Sequence, residues 1–228
     1  MNATTLAPPM SLEDAVKARR SIRAFKSTPV PRALIEKVLA VAQLAPSNCN
    51  AQPWVVHVAS GKTMDLLRER LVAAARSGSV TPDVPLTSTY KGVYRDRRIG
   101  AAKALFEATG VGRDDMEART RSFLRNFEMF DAPHALFLFM PSYQGLREAA
   151  DVGMYAQTLM LALAAHGLGS CAQGALSHQM DVVRELLDID DELICLFGMS
   201  FGYPDHDHPS DAARTDRALL SETVHFYD

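Results

Sequence analysis

The chain has 228 residues, of which 47% are hydrophobic and 22% charged, with a formal net charge of −3. That length makes one large domain or two small ones, enough to bury a core without disulfide or metal staples. The composition excludes disorder, collagen and coiled coil as whole-chain readings, and the slightly acidic balance argues against general binding to nucleic acid or an anionic membrane.

Residues 1–10 lack a charged n-region and an apolar h-region, so they read as a short mobile arm rather than a signal peptide. Ser11-Leu12-Glu13-Asp14 matches a capping box ahead of a short helix ending at Ala18. Residues 19–25 alternate and extend. Leu34, Ile35, Val38, Leu39 and Ala42 fall on one face of a helix over 32–44, stopped by Pro46. Residues 45–53 (APSNCNAQP) form a polar loop, 54–59 a strand, and 62–76 an amphipathic helix with Leu67 and Leu71 inward. After a loop at 77–90, the charged stretch 91–125 is mostly helical, with a break near Gly110 and Gly112. Residues 77–130 read as an insertion on the core. Ala135 to Met140 (ALFLFM) is a buried strand. The helix over 147–166 is apolar nearly all round after Val152 and belongs in the core or at a subunit interface. A helix at 181–187 and a central strand at 193–201 precede an irregular, charged tail. Strands and helices mix without regular alternation, which predicts an α+β fold.

The most apolar stretch, 158–171, contains His166 and is too short to span a bilayer. Cys49, Cys171 and Cys195, odd in number and widely spaced, support neither a disulfide framework nor a zinc site. Free, mostly buried thiols in a reducing compartment follow, and with them a cytoplasmic location.

Several motif matches fail on context. Gly198-Met199-Ser200-Phe201-Gly202 fits the GxSxG nucleophile elbow, but a turn at Tyr203-Pro204-Asp205 stands where the elbow needs a helix. Its small residues are better explained by close packing at a strand end. Ser60-Gly61-Lys62-Thr63 resembles the end of a phosphate-binding loop, yet Val56 replaces the required glycine. Gly167-Leu168-Gly169 opens like a dinucleotide fingerprint but lies after a helix, in the wrong order. Asp205-His206-Asp207-His208 has metal-ligand types without a second cluster to complete a site, so no metal is expected.

Three separated segments carry dense hydrogen-bond donors with little acidic competition: Arg19-Arg20-Ser21-Ile22-Arg23, Pro46-Ser47-Asn48-Cys49-Asn50-Ala51-Gln52, and Arg214-Thr215-Asp216-Arg217. Arginine forks and a hydroxyl suit a phosphate. Asn and Gln, donor and acceptor at once, suit the edge of a heterocycle. Taken singly, each segment is better read as a basic surface face or a polar loop. Taken together with Gly167-Leu168-Gly169-Ser170-Cys171-Ala172-Gln173-Gly174-Ala175, their order and spacing resemble the FMN-dependent nitroreductase family over nearly the whole chain. Arg125-Asn126-Phe127-Glu128-Met129-Phe130-Asp131-Ala132-Pro133 resembles its bacterial nitroarene and nitrobenzoate reductase branch.

The resemblance implies a nitroreductase-like α+β fold, with a central mixed β-sheet flanked by helices, in an intertwined homodimer. It implies one FMN-binding domain over 1–228, with the helical insertion 77–130 near the active site. Arg19, Ser21 and Arg217 are expected to hold the FMN phosphate, with Arg20 and Arg214 nearby. Arg23 lies along the pyrimidine edge of the flavin. Pro46, Ser47, Asn48, Asn50 and Gln52 reach the flavin from the other subunit, and the backbone of Gln173, Gly174 and Ala175 approaches N5. The chain departs from the family's usual proline at Ala172 and its usual acidic residue at Gly174, so a bare backbone N–H is the implied N5 contact. No residue is expected to be catalytic in its own right: the chemistry is the flavin's, with Arg23 and Gly174 in support. NADH or NADPH is the implied hydride donor, and an electron-poor aromatic the acceptor, reduced from nitro to nitroso to hydroxylamine on one shared site with ping-pong kinetics. Quinone or ene reduction, reductive dehalogenation and flavin binding without turnover remain open alternatives.

Tyr90, Phe123, Phe127 and Phe130 form either an aromatic wall for a substrate ring or simply core. Arg95, Arg97 and Arg98 attract dinucleotide phosphates or a carboxylated substrate, or else make a solvated helix face. Trp54 packs beneath the 45–53 loop.

Overall fold

A computed structural model describes residues 10–86 and 89–228. The arm expected at 1–10 lies, apart from Met10, outside the described residues. Helix α1 (Leu12–Ala18) is capped by the Ser11 hydroxyl, which accepts from the Asp14 amide at 3.1 Å. Helix α2 spans Arg32–Ala42, strand β1 Val55–Ser60, and helix α3 Gly61–Ser77. The stretch 77–130 carries α4 (Val93–Ala108) and α5 (Met116–Leu124), parted at Gly110 and Gly112. Strand β2 (His134–Pro141), helix α6 (Leu146–Ala165), strand β3 (Gly169–Gln173), helix α7 (Met180–Leu187), strand β4 (Leu193–Gly202) and a last turn α8 (Leu220–Thr223) complete the order.

The four strands lie in the order β1-β2-β4-β3. All three pairings are antiparallel, a correction to the mixed sheet implied by the resemblance. The physical reason is the crossover through α6: it makes β3 parallel to β2 but sets it on the far side of β4. Between them runs a strand of opposite sense. The parallel elements among the described residues are two isolated bridges, Ser21 with Ser170 and Thr81 with Gln179.

β2 shows why this core forms. Its residues are apolar in both phases of the two-residue repeat, as expected of a strand covered on both faces. Leu136, Leu138 and Met140 turn to one side, against α2 and α6. Ala135, Phe137 and Phe139 turn to the other, against α3, α7 and the end of α5. Gly198 of β4 lets Leu176 approach: a Cβ there would stand 2.7 Å from Leu176. That close packing, not a nucleophile elbow, explains the small residues around Ser200, whose fully buried hydroxyl donates to Gln173 Oε1 at 2.5 Å.

β3 has no counterpart among the predicted elements. Its five residues, Gly-Ser-Cys-Ala-Gln, have little β-propensity, and the pairing with β4 sustains it. Gly169 is required by close approach, since a Cβ would meet Ile22 at 2.7 Å. Ile22 belongs to the extended segment 19–25, which runs beside β3 through Ile22 N–H to Ser170 O at 3.0 Å.

Two segments hold consecutive non-glycine residues in the left-handed region: Cys49 and Asn50, and then Met129, Phe130 and Asp131 with φ of 54°, 54° and 65°. Gln52 follows the first pair at 48°. Each such residue costs about 1–3 kcal/mol and persists only where neighbours over-determine it.

Candidate functional site

The arginines from the two ends of the chain meet through a brace. Arg20 donates twice to Asp211, from Nη1 to the carbonyl at 2.6 Å and from Nη2 to the carboxylate at 2.5 Å. Asp211 sits in the turn Pro209–Ala212 and also contacts His206 Nδ1 at 3.2 Å. Burial opposes its ionisation, but the hydrogen bonds from Arg20 and His206 outweigh it and hold the carboxyl below the usual range. The Asp205-His206-Asp207-His208 run builds this turn: Asp207 N–H donates to Asp205 at 3.1 Å, and His208 contacts Ser210 at 2.8 Å. Among the described residues no group of three or more His, Cys, Asp or Glu is placed to hold a metal ion.

Arg20 therefore braces Asp211 while lining the same cavity as Arg19. Arg214 bonds to the same Asp211 carbonyl and to Ala213 O. Their consequence is felt at Arg19, whose pKa is lowered first by burial and then by the charge of Arg217. The charge of Arg217 is thus felt at Arg19, and among the described residues neither forms an ion pair. Arg217 reaches only the oxygens of its neighbours Thr215 and Asp216. Such a pair is repulsive alone and complete with a multivalent oxyanion between its forks.

From Arg19 the segment runs past Ser21, which is bridged to Ser170 of β3 beside the buried Cys171 thiol. Burial pushes that thiol up, against the pull of Arg23 and Ser21. Arg23 is half-buried and its guanidinium has only a long contact, 3.4 Å to Ser21 O. Beyond β3, the Gln173 side chain turns inward, donating to Asn126 O at 2.9 Å while accepting from Ser200. This leaves backbone to face outward at Gly174, where a Cβ would meet nothing within 4 Å. A flat ring can lie against such a surface.

Residues 46–52 form a separate donor cluster. The buried Asp151 of α6 accepts from Asn48 N–H at 3.0 Å, and Ser47 Oγ accepts from Gln52 N–H at 2.9 Å. Trp54 packs beneath, its Nε1 donating to Gln43 at 3.0 Å and its ring 5.0 Å from Tyr155. The backbone is thus held from below, with Pro46, Asn48, Asn50 and Gln52 exposed. Arg19 and Arg20 line a cavity of about 160 Å³ against Met160 and Ala164, near the other end of α6. At 1.5 Å per residue, Asp151 and Ala164 are roughly 20 Å apart.

The aromatic wall divides. Phe127 and Phe130 are buried in the core, a correction to their candidacy as substrate contacts, since a ring closed on all sides meets no ligand. Phe123 and Tyr90 are 49% and 46% exposed. Arg98 stands over the Tyr90 ring at 5.4 Å, and Arg97 pairs with Glu222 at 2.9 Å.

The sequence reading missed Asp151 and Asp211, the two carboxylates that hold the donor segments in shape. Asp151 leaves a trace, a lone acid where an otherwise apolar helix face begins. Asp211 leaves none, because its partner Arg20 lies 191 positions away.

A family model for the nitroreductase family matches residues 16–203. Nitroreductase NfnB of Mycolicibacterium smegmatis is 40% identical over 215 residues, 94% of this chain and 92% of that protein. A 4-nitrobenzoate reductase of Pseudomonas putida is 33% identical, over 93% of this chain and 94% of its own. The crystal structure of the FMN-dependent NfnB from Mycobacterium smegmatis in complex with NADPH superposes with a TM-score of 0.92 at 40% identity, covering 95% of this chain and 97% of that one. The FMN and NADPH-dependent NfnB from sphigopyxis sp. strain HMH gives 0.93 at 32% identity, over 96% and 100%.

Proposed function

The chain belongs to the nitroreductase family, and from that premise we propose that it is an FMN-dependent NAD(P)H oxidoreductase that reduces nitroaromatic compounds. The observation that carries this beyond kinship is the uncompensated pair of Arg19 and Arg217. The donor set fits FMN at both ends. Arg19, Arg217 and Ser21 suit a phosphate dianion, and Asn48, Asn50 and Gln52 offer both donors and acceptors to a heterocycle.

Bound FMN supplies two-electron transfer between a nicotinamide donor and the nitroaromatic. The protein's share is binding and electrostatics. Arg19 and Arg217 anchor the phosphate, with Arg20 tying the first segment to the Asp211 turn that precedes the second. Arg23 places a fixed positive charge at the pyrimidine edge and favours negative charge there. The outward backbone at Gly174 supplies an N–H at the ring centre without a side chain in the way.

The roughly 20 Å between the two donor clusters along α6 supports a homodimer in which each copy contributes its 46–52 loop to the site of the other. The whole chain then acts as one FMN-binding domain, with the helices of 77–130 as an insertion beside the site. Among the described residues no helix is long and apolar enough to cross a membrane, which accords with a cytoplasmic enzyme.

The purified protein should be yellow, and acid should release FMN rather than FAD. Under anaerobic conditions it should oxidise NADPH or NADH when 4-nitrobenzoate or nitrobenzene is added, with hydroxylamine as product. Colourless protein that takes up no added FMN would refute the proposal.

A further inference from the structure

The left-handed turn Met129–Asp131 touches both segments that the proposed FMN site needs. On one side Phe25 N–H donates to Phe130 O at 3.2 Å, and Arg125 Nη2 reaches Arg23 O at 3.4 Å. On the other, Gln173 Nε2 donates to Asn126 O at 2.9 Å, just ahead of the turn. Three non-glycine residues in succession hold a conformation that L-residues avoid, so something must impose it. Two arginines do. Arg125 Nη1 binds the Asp131 carboxylate at 2.6 Å and lies 3.7 Å from Glu128. Arg68 of α3 donates from Nε to Glu128 O at 3.1 Å and from Nη2 to Ala132 O at 3.0 Å. Only Arg125 also holds the backbone of Arg23.

We propose that Arg125 is a positioning residue for the flavin site: through the strained Met129–Asp131 turn it fixes the Arg23 strand against the Gly174 end of β3. This role rests on the proposed FMN site. Its logic is geometric. Arg23 and Gly174 address one rigid ring from two segments tied directly only at Ile22 and Ser170, and a second tie nearer the ring fixes the angle between them. The turn is that tie, and its planar guanidinium clamp spans carboxylate and carbonyl in a way that a lysine ammonium cannot. Arg68 braces the same turn from behind without reaching either strand, and is the internal control.

The test compares Arg125→Met, Arg125→Lys and Arg68→Met with wild type. FMN dissociation constants are measured by fluorescence, the midpoint potential of the bound flavin by dye-coupled reduction, and thermal midpoints on FMN-free protein. Arg125→Met and Arg125→Lys should each bind FMN about tenfold more weakly, the effect of one lost charge-assisted hydrogen bond, with a more negative potential as the Arg23 charge loosens. Arg68→Met should lose thermal stability yet keep FMN affinity within about twofold and the potential at the wild-type value. If Arg125→Met does not fold, Arg125→Lys decides. Wild-type affinity and potential in the folded Arg125 variants would overturn the proposal, as would a loss in Arg68→Met that matches theirs. Wild-type protein that takes up no FMN is a distinct failure, visible before any variant is made: it removes the site itself, and this role with it.

Discussion

Helices α6 and α4, of twenty and sixteen residues, lead opposite lives. α6 buries Asp151, Val152, Tyr155, Ala156, Leu159, Ala162, Leu163 and Ala164 against the sheet and α2. α4, with sixteen residues, buries none. Val93, Tyr94 and Ile99 stand about half exposed or more along it. Isolated helices of that length are marginal in water, and packing usually supplies what propensity does not. α6 is therefore part of what makes the chain fold, whereas α4 is carried by it. The same division separates the molecule's chemistry. The sheet and α6 satisfy their own polar groups, while Arg19, Arg217 and the 46–52 loop present donors that the chain does not complete.

Substitutions sharpen or break this division. The largest effect is expected in the closed half: Leu159→Ala should cost about 2–5 kcal/mol of unfolding free energy, read from urea denaturation. A loss below about 1 kcal/mol would mean that α6 is not the core element its burial indicates. Next come the open arginines. Arg19→Ala and Arg217→Ala should each weaken FMN binding by about 1.5–3 kcal/mol. Neither should destabilise the FMN-free protein, because each removes a repulsion. An unchanged FMN affinity in both would dissolve the phosphate site.

Protons probe the closed half as well. Burial lowers the imidazole pKa of His57, His134 and His178. His134 is held neutral between Ser60 Oγ at 2.6 Å and the Val30 amide at 2.9 Å. The native state thus binds these protons less tightly than the unfolded chain. Stability should be complete above the unfolded imidazole value of about 6.5 and decline as the pH falls through it toward the lower folded values. His134→Asn should flatten that decline in unfolding curves taken between pH 7.5 and 5 (~ the imidazole range). An unaltered slope would place the titration elsewhere. The smallest effect belongs to α4. Ile99→Ala should change unfolding free energy by no more than about 0.5 kcal/mol at a fixed protomer concentration. Hydrogen exchange should be faster in α4 than in α6 by orders of magnitude.

Local chemistry explains which parts of this were legible beforehand. The capping serine of α1, the spacing of Ile35, Val38 and Ala42, and the apolar run of β2 each act within a turn or two of chain, and each forms where its pattern stands. The donor segments were recognisable because a phosphate and a heterocycle constrain residue types, not only positions. β3 was not legible, since five small and polar residues become a strand only when β4 lies beside them. Nor was the fate of the aromatic residues: Phe123 and Phe127 stand four apart, yet one is half exposed and the other fully buried, because only the second reaches α3 and α7.

The sequence by itself determined most of the elements and the kinship, because those depend on short-range periodicity and on the order of motifs along the chain. The tertiary structure alone decided how they are used. It turned Arg20 into a brace for Asp211 and, among the described residues, left Arg19 and Arg217 without an ion pair. It sent the Gln173 side chain inward so that the backbone at Gly174 faces outward. It wound Met129–Asp131 left-handed between two strands. Each of these joins residues tens to nearly two hundred positions apart, and the free energy that selects them comes from burial and paired charge in the assembled fold.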